Sequence, residues 1–168
     1  MRIGLLGQVR RRWAPRGVKL RQRVAFGRVW RYLVLAVDGI KGRLRWNWIG
    51  NMKGESIARA VQAWKAEDVQ AVVWDRAGGH RTKVVREVGV VLMEQPAGSP
   101  ELNPSERVFE ELRRKIEGRN YEDIEEKVAA VEVELKELAA DPQKVRSLAG
   151  WSWILDACDA LPPNIAFP

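Results

Sequence analysis

Short apolar segments alternate with amphipathic segments along most of this chain, and this alternation limits the fold more than any other feature of the sequence. The segments with strand character are residues 32–37, 43–49, 69–74 and 90–93. Turn residues at 38–42 join the first two as a hairpin. Residues 55–65 repeat apolar side chains at helical spacing, and residues 82–88 suit a short helix. The pattern predicts strands and helices that share one core.

Two longer helices complete the pattern. Asn103 suits the N-cap of the first helix, and Pro104 suits its first position. The second helix is predicted to begin at Asn120, with Asp123 placed to help its cap. The order hairpin, helix, strand, helix, strand, helix, helix predicts an α/β fold with a mixed sheet. A hairpin that leads into alternating strands and helices is compatible with a ribonuclease-H-like sheet flanked by helices.

The chain length, the length of the apolar runs and the number of cysteines exclude several classes of protein. The 168 residues fit one domain, residues 1–168. No apolar run is long enough to cross a bilayer, and the first residues lack the pattern of a signal peptide. Cys158 is the only cysteine, so an internal disulfide is excluded. We therefore expect a reducing, cytoplasmic location.

Positive charge is concentrated in the first third of the sequence. Residues 1–50 contain 13 Lys and Arg side chains and a single acid, whereas residues 51–168 contain 16 basic and 21 acidic side chains. We call residues 1–31 the basic arm. The side chains expected to bind DNA are Arg10, Arg11, Arg12, Arg16, Lys19, Arg21 and Arg23. The asymmetry favours a nucleic acid partner, although a solvated basic surface gives the same pattern. Trp13 and Trp30 are the candidates for stacking on bases, although most tryptophans belong to protein cores.

Two short segments carry the residue types of a cation-dependent site. Asp75 ends the apolar run 69–74 and is followed by small residues and His80, and Glu106 lies in the first turn of the helix that starts at Pro104. Two carboxylates at the carboxyl edge of an α/β sheet would bind a hard divalent cation, which prefers oxygen ligands. In the structural alternatives, Glu106 caps its helix and Asp75 caps the next turn. His80 suits a general base, a phosphate contact or a loop residue.

These segments resemble the DDE transposases of the insertion-sequence 630 group, which is mariner-like. The run Ser-Pro-Glu-Leu-Asn-Pro at residues 99–104, followed by Glu106, closely matches a loop of that group. Residues 72–80 match its strand that ends in Asp and leads to a His. Residues 13–17, Trp-Ala-Pro-Arg-Gly, are similar to the segment after its first strand. The resemblance therefore covers nearly the whole chain.

The resemblance implies a ribonuclease-H-like catalytic domain that cuts transposon ends with water and joins a 3′-hydroxyl to target DNA. It implies that Asp75 and Glu106 are the second and third catalytic acids and ligands of Mg²⁺ or Mn²⁺ in a two-metal site, whereas Glu101 is a loop residue. The residues expected beside the site are His80, Asn103 and Arg76. The implied partners are transposon-end and target DNA, with a second copy of the chain or full-length transposase, and no membrane.

The chain departs from the family pattern at several points. Arg76 replaces the usual Asn, the spacing from Asp75 to Glu106 is slightly short, and the family's first Asp belongs to a strand just before the segment that Met1 begins to match. We therefore expect most of the family's first strand to be absent from this sequence. Asp38 is the only acid among the first 50 residues, and its setting predicts a hairpin turn more than a metal ligand.

With one acid fewer, we expect weak cation binding and impaired catalysis by the chain alone. One alternative is a non-catalytic DNA-binding remnant that regulates full-length transposase. Another is a fragment that an upstream reading frame completes. A further Asp supplied from upstream would separate these alternatives.

Overall fold

The computed structural model describes residues 1–6, 13–21 and 25–159, with residues 157–159 described by backbone alone. The arm residues outside this part of the chain are Arg10, Arg11, Arg12 and Arg23. The strands are β1 (Arg2–Gly4), β2 (Trp30–Asp38), β3 (Arg43–Ile49), β4 (Ala71–Trp74) and β5 (Val91–Glu94). The helices are α1 (Gly54–Ala66), α2 (Lys83–Arg86), α3 (Pro104–Ile116), α4 (Ile124–Ala139), α5 (Pro142–Ala149) and α6 (Ser152–Asp159). Among these described helices, none has the length and apolar character needed to span a membrane.

Strands β1, β2 and β3 form an antiparallel sheet in that order. The hairpin between β2 and β3 turns at Asp38. Its Oδ1 atom accepts hydrogen bonds from the backbone N–H groups of Ile40 (3.0 Å) and Lys41 (2.9 Å). Gly42 follows with a φ of +67°, a conformation that glycine adopts without strain. The Asp38 carboxylate therefore serves the turn, as the sequence predicted.

Strands β4 and β5 form a second, parallel sheet in which Trp74 pairs with Glu94 at the ends of both strands. The described strands thus make two small sheets in place of the single mixed sheet that was predicted. Strand β1 pairs with β2 alone, so no described strand joins the antiparallel sheet to β4. Because β4 and β5 run in parallel, the residues that follow Trp74 and Glu94 emerge at the same edge.

The two faces of β2 pack against different helices, because alternate side chains of a strand point to opposite sides. Leu33 and Leu35 belong to a core with α3, α4 and α5, and Val34 and Ala36 face a second core built around α1. The buried residues of the second core are Ile57, Ala60, Val61, Trp64, Trp74, Val85 and Val90. The end of β4 is therefore anchored in the second core, and α3 is anchored in the first.

Side-chain caps set where the long helices begin. Asn103 caps α3 and Pro104 is its first residue, which confirms the predicted start. Helix α4 begins at Ile124, so the predicted start at Asn120 is wrong by four residues. The Oδ1 atom of Asp123 accepts the N–H of Glu126 at 2.7 Å, and this bond defines Asp123 as the N-cap.

Candidate active site

Asp75 follows β4 directly, and its carboxylate projects from the carboxyl edge of the parallel sheet. The side chain is 58% exposed, whereas the preceding Trp74 is 8% exposed in the core. The Oδ1 atom of Asp75 accepts the backbone N–H of Ala77 at 3.0 Å and lies 2.8 Å from Nδ1 of His80. Asp75 therefore caps the following turn through one oxygen, and among the described residues no donor is bonded to its Oδ2.

Glu106 is the third residue of α3, and its position follows from the Asn103 cap. The Oδ1 atom of Asn103 accepts the N–H of Ser105 at 3.1 Å, and the backbone carbonyl of Asn103 accepts the N–H of Glu106 at 3.0 Å. The N–H of Asn103 donates to the carbonyl of Pro100, so the reciprocal bond of a capping box is not made. The Glu106 carboxylate is 44% exposed, and Nη2 of Arg113 lies 3.9 Å away. Because the side chain of Asn103 makes the cap and that of Glu106 does not, the Glu106 carboxylate remains available to bind a ligand in the cavity.

Asp75 and Glu106 line the same cavity, which has a volume of about 350 Å³. Residues 95–100, from the loop after β5, form most of the remaining wall, together with Arg76 and Asn103. Asp38 is not among the lining residues. The two acids predicted from the motif segments are thus brought together, although 30 residues separate them in the sequence.

The amino group of Met1 lies close enough to respond to both acids. It donates a hydrogen bond to the carbonyl of Leu33 at 2.6 Å. Burial lowers the pKa of this amino group, and the negative charges of Glu106 and Asp75 oppose that shift. The charges of both carboxylates therefore affect the pKa of the same amino group, which agrees with their placement around a single cavity.

Comparison with known sequences places the chain in a family. The sequence model that describes DDE superfamily endonucleases matches residues 1–127, a stretch that includes both acids. This chain belongs to that family. The resemblance to DDE enzymes is thereby confirmed. No curated protein sequence is significantly similar to this DDE domain.

The DDE domain shares its fold with solved structures of the Mos1 transposase. The Mos1 strand transfer complex matches with a TM-score of 0.66 and 14% identity, over 89% of this chain and 48% of that chain. The Mos1 paired-end complex with the left transposon end matches with a TM-score of 0.64 and 16% identity, over 89% and 49%. The Mos1 mariner paired-end complex with Mn matches with a TM-score of 0.61 and 16% identity, over the same shares. The predicted ribonuclease-H-like α/β fold is confirmed, and the chain spans about half the length of these relatives.

The donors around the cavity fit a hard divalent cation. Mg²⁺ is commonly held by one or two carboxylates, with water and substrate oxygens in its other positions, and Asp75 and Glu106 provide two carboxylates. The amide oxygen of Asn103 is engaged by the helix cap. Within residues 1–6, 13–21 and 25–159, no group of three or more His, Cys, Asp or Glu side chains is arranged to hold a metal. The described residues thus offer fewer ligands than a two-metal site uses.

Arg76 places a positive charge in the wall of this cavity. Its side chain is half exposed, and its Nε atom lies 3.4 Å from Oε2 of Glu94. The other oxygen of Glu94 accepts a hydrogen bond from Nε of Arg81 at 3.1 Å. Glu94 therefore shares its negative charge between two arginines, and only Arg76 of the two lines the cavity.

Gln95 holds the loop that carries the motif, a role that the sequence pattern did not predict. The side chain is buried, and the backbone N–H donates to the carbonyl of Trp74 at 2.8 Å. Its Nε2 atom donates to the carbonyl of Leu102 at 2.9 Å. Gln95 thus ties the loop before α3 to the end of β4, which sets the spacing of the two acids. A polar residue directly after a strand was the only signal for this role.

The described arm residues that were expected to bind DNA are exposed, and no described residue of the arm lines the cavity. Arg16, Lys19 and Arg21 are all exposed, and Trp13 is fully exposed. Trp30 instead packs under the guanidinium of Arg2, with 4.1 Å between the guanidinium carbon and the ring centre. Trp13 is therefore more available for stacking than Trp30.

Proposed function

We propose that this chain forms a transposase catalytic domain for DNA strand cleavage and transfer, with Asp75 and Glu106 as ligands of Mg²⁺ or Mn²⁺. The observation that carries the proposal is that both carboxylates line one cavity in a domain with the fold of the Mos1 transposase. Family membership supports endonuclease chemistry. The proposal includes DNA cleavage, strand transfer, and the binding of transposon ends and target DNA.

The residues around the cavity have different proposed roles. Asp75 and Glu106 hold the cation, which when bound acts as a Lewis acid that stabilises negative charge on phosphodiester oxygens. The guanidinium of Arg76 is placed to donate hydrogen bonds to a phosphate, a geometry that arginine suits. Gln95 fixes the distance between the two halves of the site through its bonds to Trp74 and Leu102.

We also propose that the chain alone binds the cation weakly and is catalytically impaired. Two acids meet at the cavity, and the family resemblance assigns a further Asp to a strand before the matched segment. Such an acid would add a third carboxylate to the two that line the cavity. A version of the protein extended upstream by that strand should therefore be more active.

The test is a nicking assay with Mn²⁺ on a plasmid that carries the element's ends, using the extended version and the present chain. In the extended version, Asp75→Asn and Glu106→Gln should each reduce nicking by about 100-fold or more, as expected when a group that stabilises transition-state charge is removed. The matched control is Glu101→Gln. Glu101 is an exposed acid five residues from Glu106 that does not line the cavity, and its loss should leave nicking unchanged.

Two outcomes would contradict these statements. Full nicking by the Asp75→Asn or Glu106→Gln protein would remove the proposed active site. Equal and robust activity from the present chain and the extended version would overturn the statement that the chain alone is impaired.

A DNA-binding regulator without catalytic activity is the second candidate, and the exposed arm favours it. Arg16, Lys19 and Arg21 remain available to DNA whether or not the cavity holds a cation. Such a protein would bind DNA, pair with full-length transposase or with itself, and never nick. Binding without nicking, even in the extended version, would favour this candidate over the enzyme.

A further inference from the structure

The two oxygens of the Asp75 carboxylate lie in unequal surroundings. Oδ1 accepts the N–H of Ala77 at 3.0 Å and contacts Nδ1 of His80 at 2.8 Å. Among the described residues, Oδ2 has no hydrogen-bond donor. Nδ1 of His80 also lies 3.3 Å from the backbone carbonyl oxygen of Asp75. A carbonyl and an ionised carboxylate only accept hydrogen bonds, so a hydrogen on Nδ1 suits both of these contacts. The imidazole thus holds one oxygen of Asp75 and leaves the other one free.

The His80 ring is itself held in place by the core. It stacks on Trp74 with ring centres 4.5 Å apart and planes 7° from parallel. The His80 side chain is only 13% exposed, in contrast to the exposed Asp75 beside it. Its backbone N–H donates to the carbonyl of Ala77 at 2.9 Å. The orientation of the ring therefore follows from a buried tryptophan and not from solvent-exposed contacts.

The turn between Asp75 and His80 is pressed against α1, which leaves the ring little freedom. A Cβ atom at Gly79 would collide with the carbonyl oxygen of Met52 and with the side chain of Ile57. Only glycine permits this approach of turn to helix. The turn that carries the imidazole and the carboxylate is therefore packed closely against the second core.

We infer that His80 is a positioning residue that fixes the rotamer of Asp75, so that Oδ2 faces the cavity as a single-oxygen ligand. The inference rests on the proposed cation site and adds a role within it. Groups that hydrogen-bond a metal ligand orient it, and their loss commonly lowers metal affinity by 10- to 100-fold. Because Nδ1 contacts Asp75 and Trp74 covers one face of the ring, these contacts argue against the alternative that His80 is a loop residue without a role at the site.

Substitutions that differ in one hydrogen-bonding position separate this role from simple packing. In His80→Asn the amide nitrogen takes roughly the place of Nδ1, whereas in His80→Gln it takes roughly the place of Nε2. His80→Phe keeps the stacking on Trp74 and removes the hydrogen bond. We expect His80→Asn to keep most of the Mn²⁺ affinity, and His80→Gln and His80→Phe to lose about 10- to 100-fold.

The readout is free Mn²⁺ measured by electron paramagnetic resonance on the full chain, with thermal unfolding to verify that each variant folds. Asp75→Asn serves as the reference. If Asp75→Asn leaves Mn²⁺ binding unchanged, the proposed cation site fails. If Asp75→Asn weakens binding but the three His80 variants bind Mn²⁺ like the parent chain, the positioning role fails while the cation site stands.

Nuclear magnetic resonance gives a second measurement that needs no metal. His80 is the only histidine in the sequence, so its ring nitrogens give signals that need no assignment. In mildly alkaline buffer we expect the tautomer with hydrogen on Nδ1. A ring that carries its hydrogen mainly on Nε2 would overturn the inference directly.

Discussion

At the scale of single residues, we expect Arg76 to weaken the attraction of the cavity for a cation. Its guanidinium lines the same cavity as Asp75 and Glu106, and Glu94 neutralises it only in part, because Glu94 also binds Arg81. We expect Arg76→Asn to raise the Mn²⁺ affinity roughly fivefold, the effect of about 1 kcal/mol between exposed charges. Calorimetric titration with Mn²⁺ at low salt would measure it, and added salt should shrink the difference.

The matched control is Arg86→Asn, because Arg86 is exposed and neither lines the cavity nor binds Glu94. It removes one positive charge from the protein without removing one from the cavity wall. An equal gain in affinity from both substitutions would mean that net charge, and not the position of Arg76, controls the cation.

Residues inside the motif segments could be predicted from the sequence, whereas those that support them could not. Asp75 and His80 are five positions apart, and the turn between them is short enough to bring the two side chains into contact. Gln95 acts through a carbonyl seven residues away in a folded loop. Its partner depends on the path of that loop, which no local pattern in the sequence specifies.

At the scale of elements, the N-cap of α3 couples helix stability to the position of Glu106. We expect Asn103→Ala to lower the free energy of unfolding by about 1 kcal/mol, the usual cost of losing a cap. It should also weaken Mn²⁺ binding, because Glu106 lies in the turn that the cap orders. Asn103→Ser, which retains a capping oxygen, should restore most of both properties.

Two other caps provide the comparison. Asp123 and Asp141 cap α4 and α5 in the same way, and neither residue lines the cavity of Asp75 and Glu106. Asp123→Ala and Asp141→Ala should cost similar stability and leave Mn²⁺ binding unchanged. If all three substitutions weaken Mn²⁺ binding equally, the effect reflects general loosening of the fold.

Element types were predicted better than element ends or sheet connections. The runs in β2, β3, β4 and β5 were visible because buried strands require apolar side chains in a few consecutive positions. The start of α4 was misplaced because Asn120 and Asp123 are both good capping residues, and only the bond to Glu126 identifies the one used. The division into two sheets depends on pairing between distant strands, which apolar runs do not encode.

At the scale of the whole molecule, the two acids come from elements anchored in different cores. Asp75 follows Trp74 of the core around α1, and Glu106 precedes Val108 and Phe109 of the core that contains α3. The cavity therefore lies where the two packed units meet, and Gln95 bridges them through Trp74 and Leu102.

The charge distribution has a separate consequence, because the described residues of the basic arm do not line the cavity. The seven arm side chains that are expected to bind DNA predict an affinity that falls steeply with salt, with a logarithmic slope of up to about −6 if every one contacts a phosphate. Replacing Arg16, Lys19 and Arg21 by Gln should reduce the slope by up to about 3, since each phosphate contact contributes about 0.9. Fluorescence anisotropy with duplex DNA across a salt series measures this slope.

The control for the arm replaces three exposed basic residues of the body, Lys83, Arg86 and Lys136, by Gln. Both triple variants lose the same net charge, so a long-range attraction that depends only on total charge should weaken equally in each. A slope that changes only in the arm variant would locate the phosphate contacts in the arm. A slope that changes equally in both would mean that Arg16, Lys19 and Arg21 make no phosphate contacts of their own. A parent affinity that does not depend on salt would remove the arm from DNA binding.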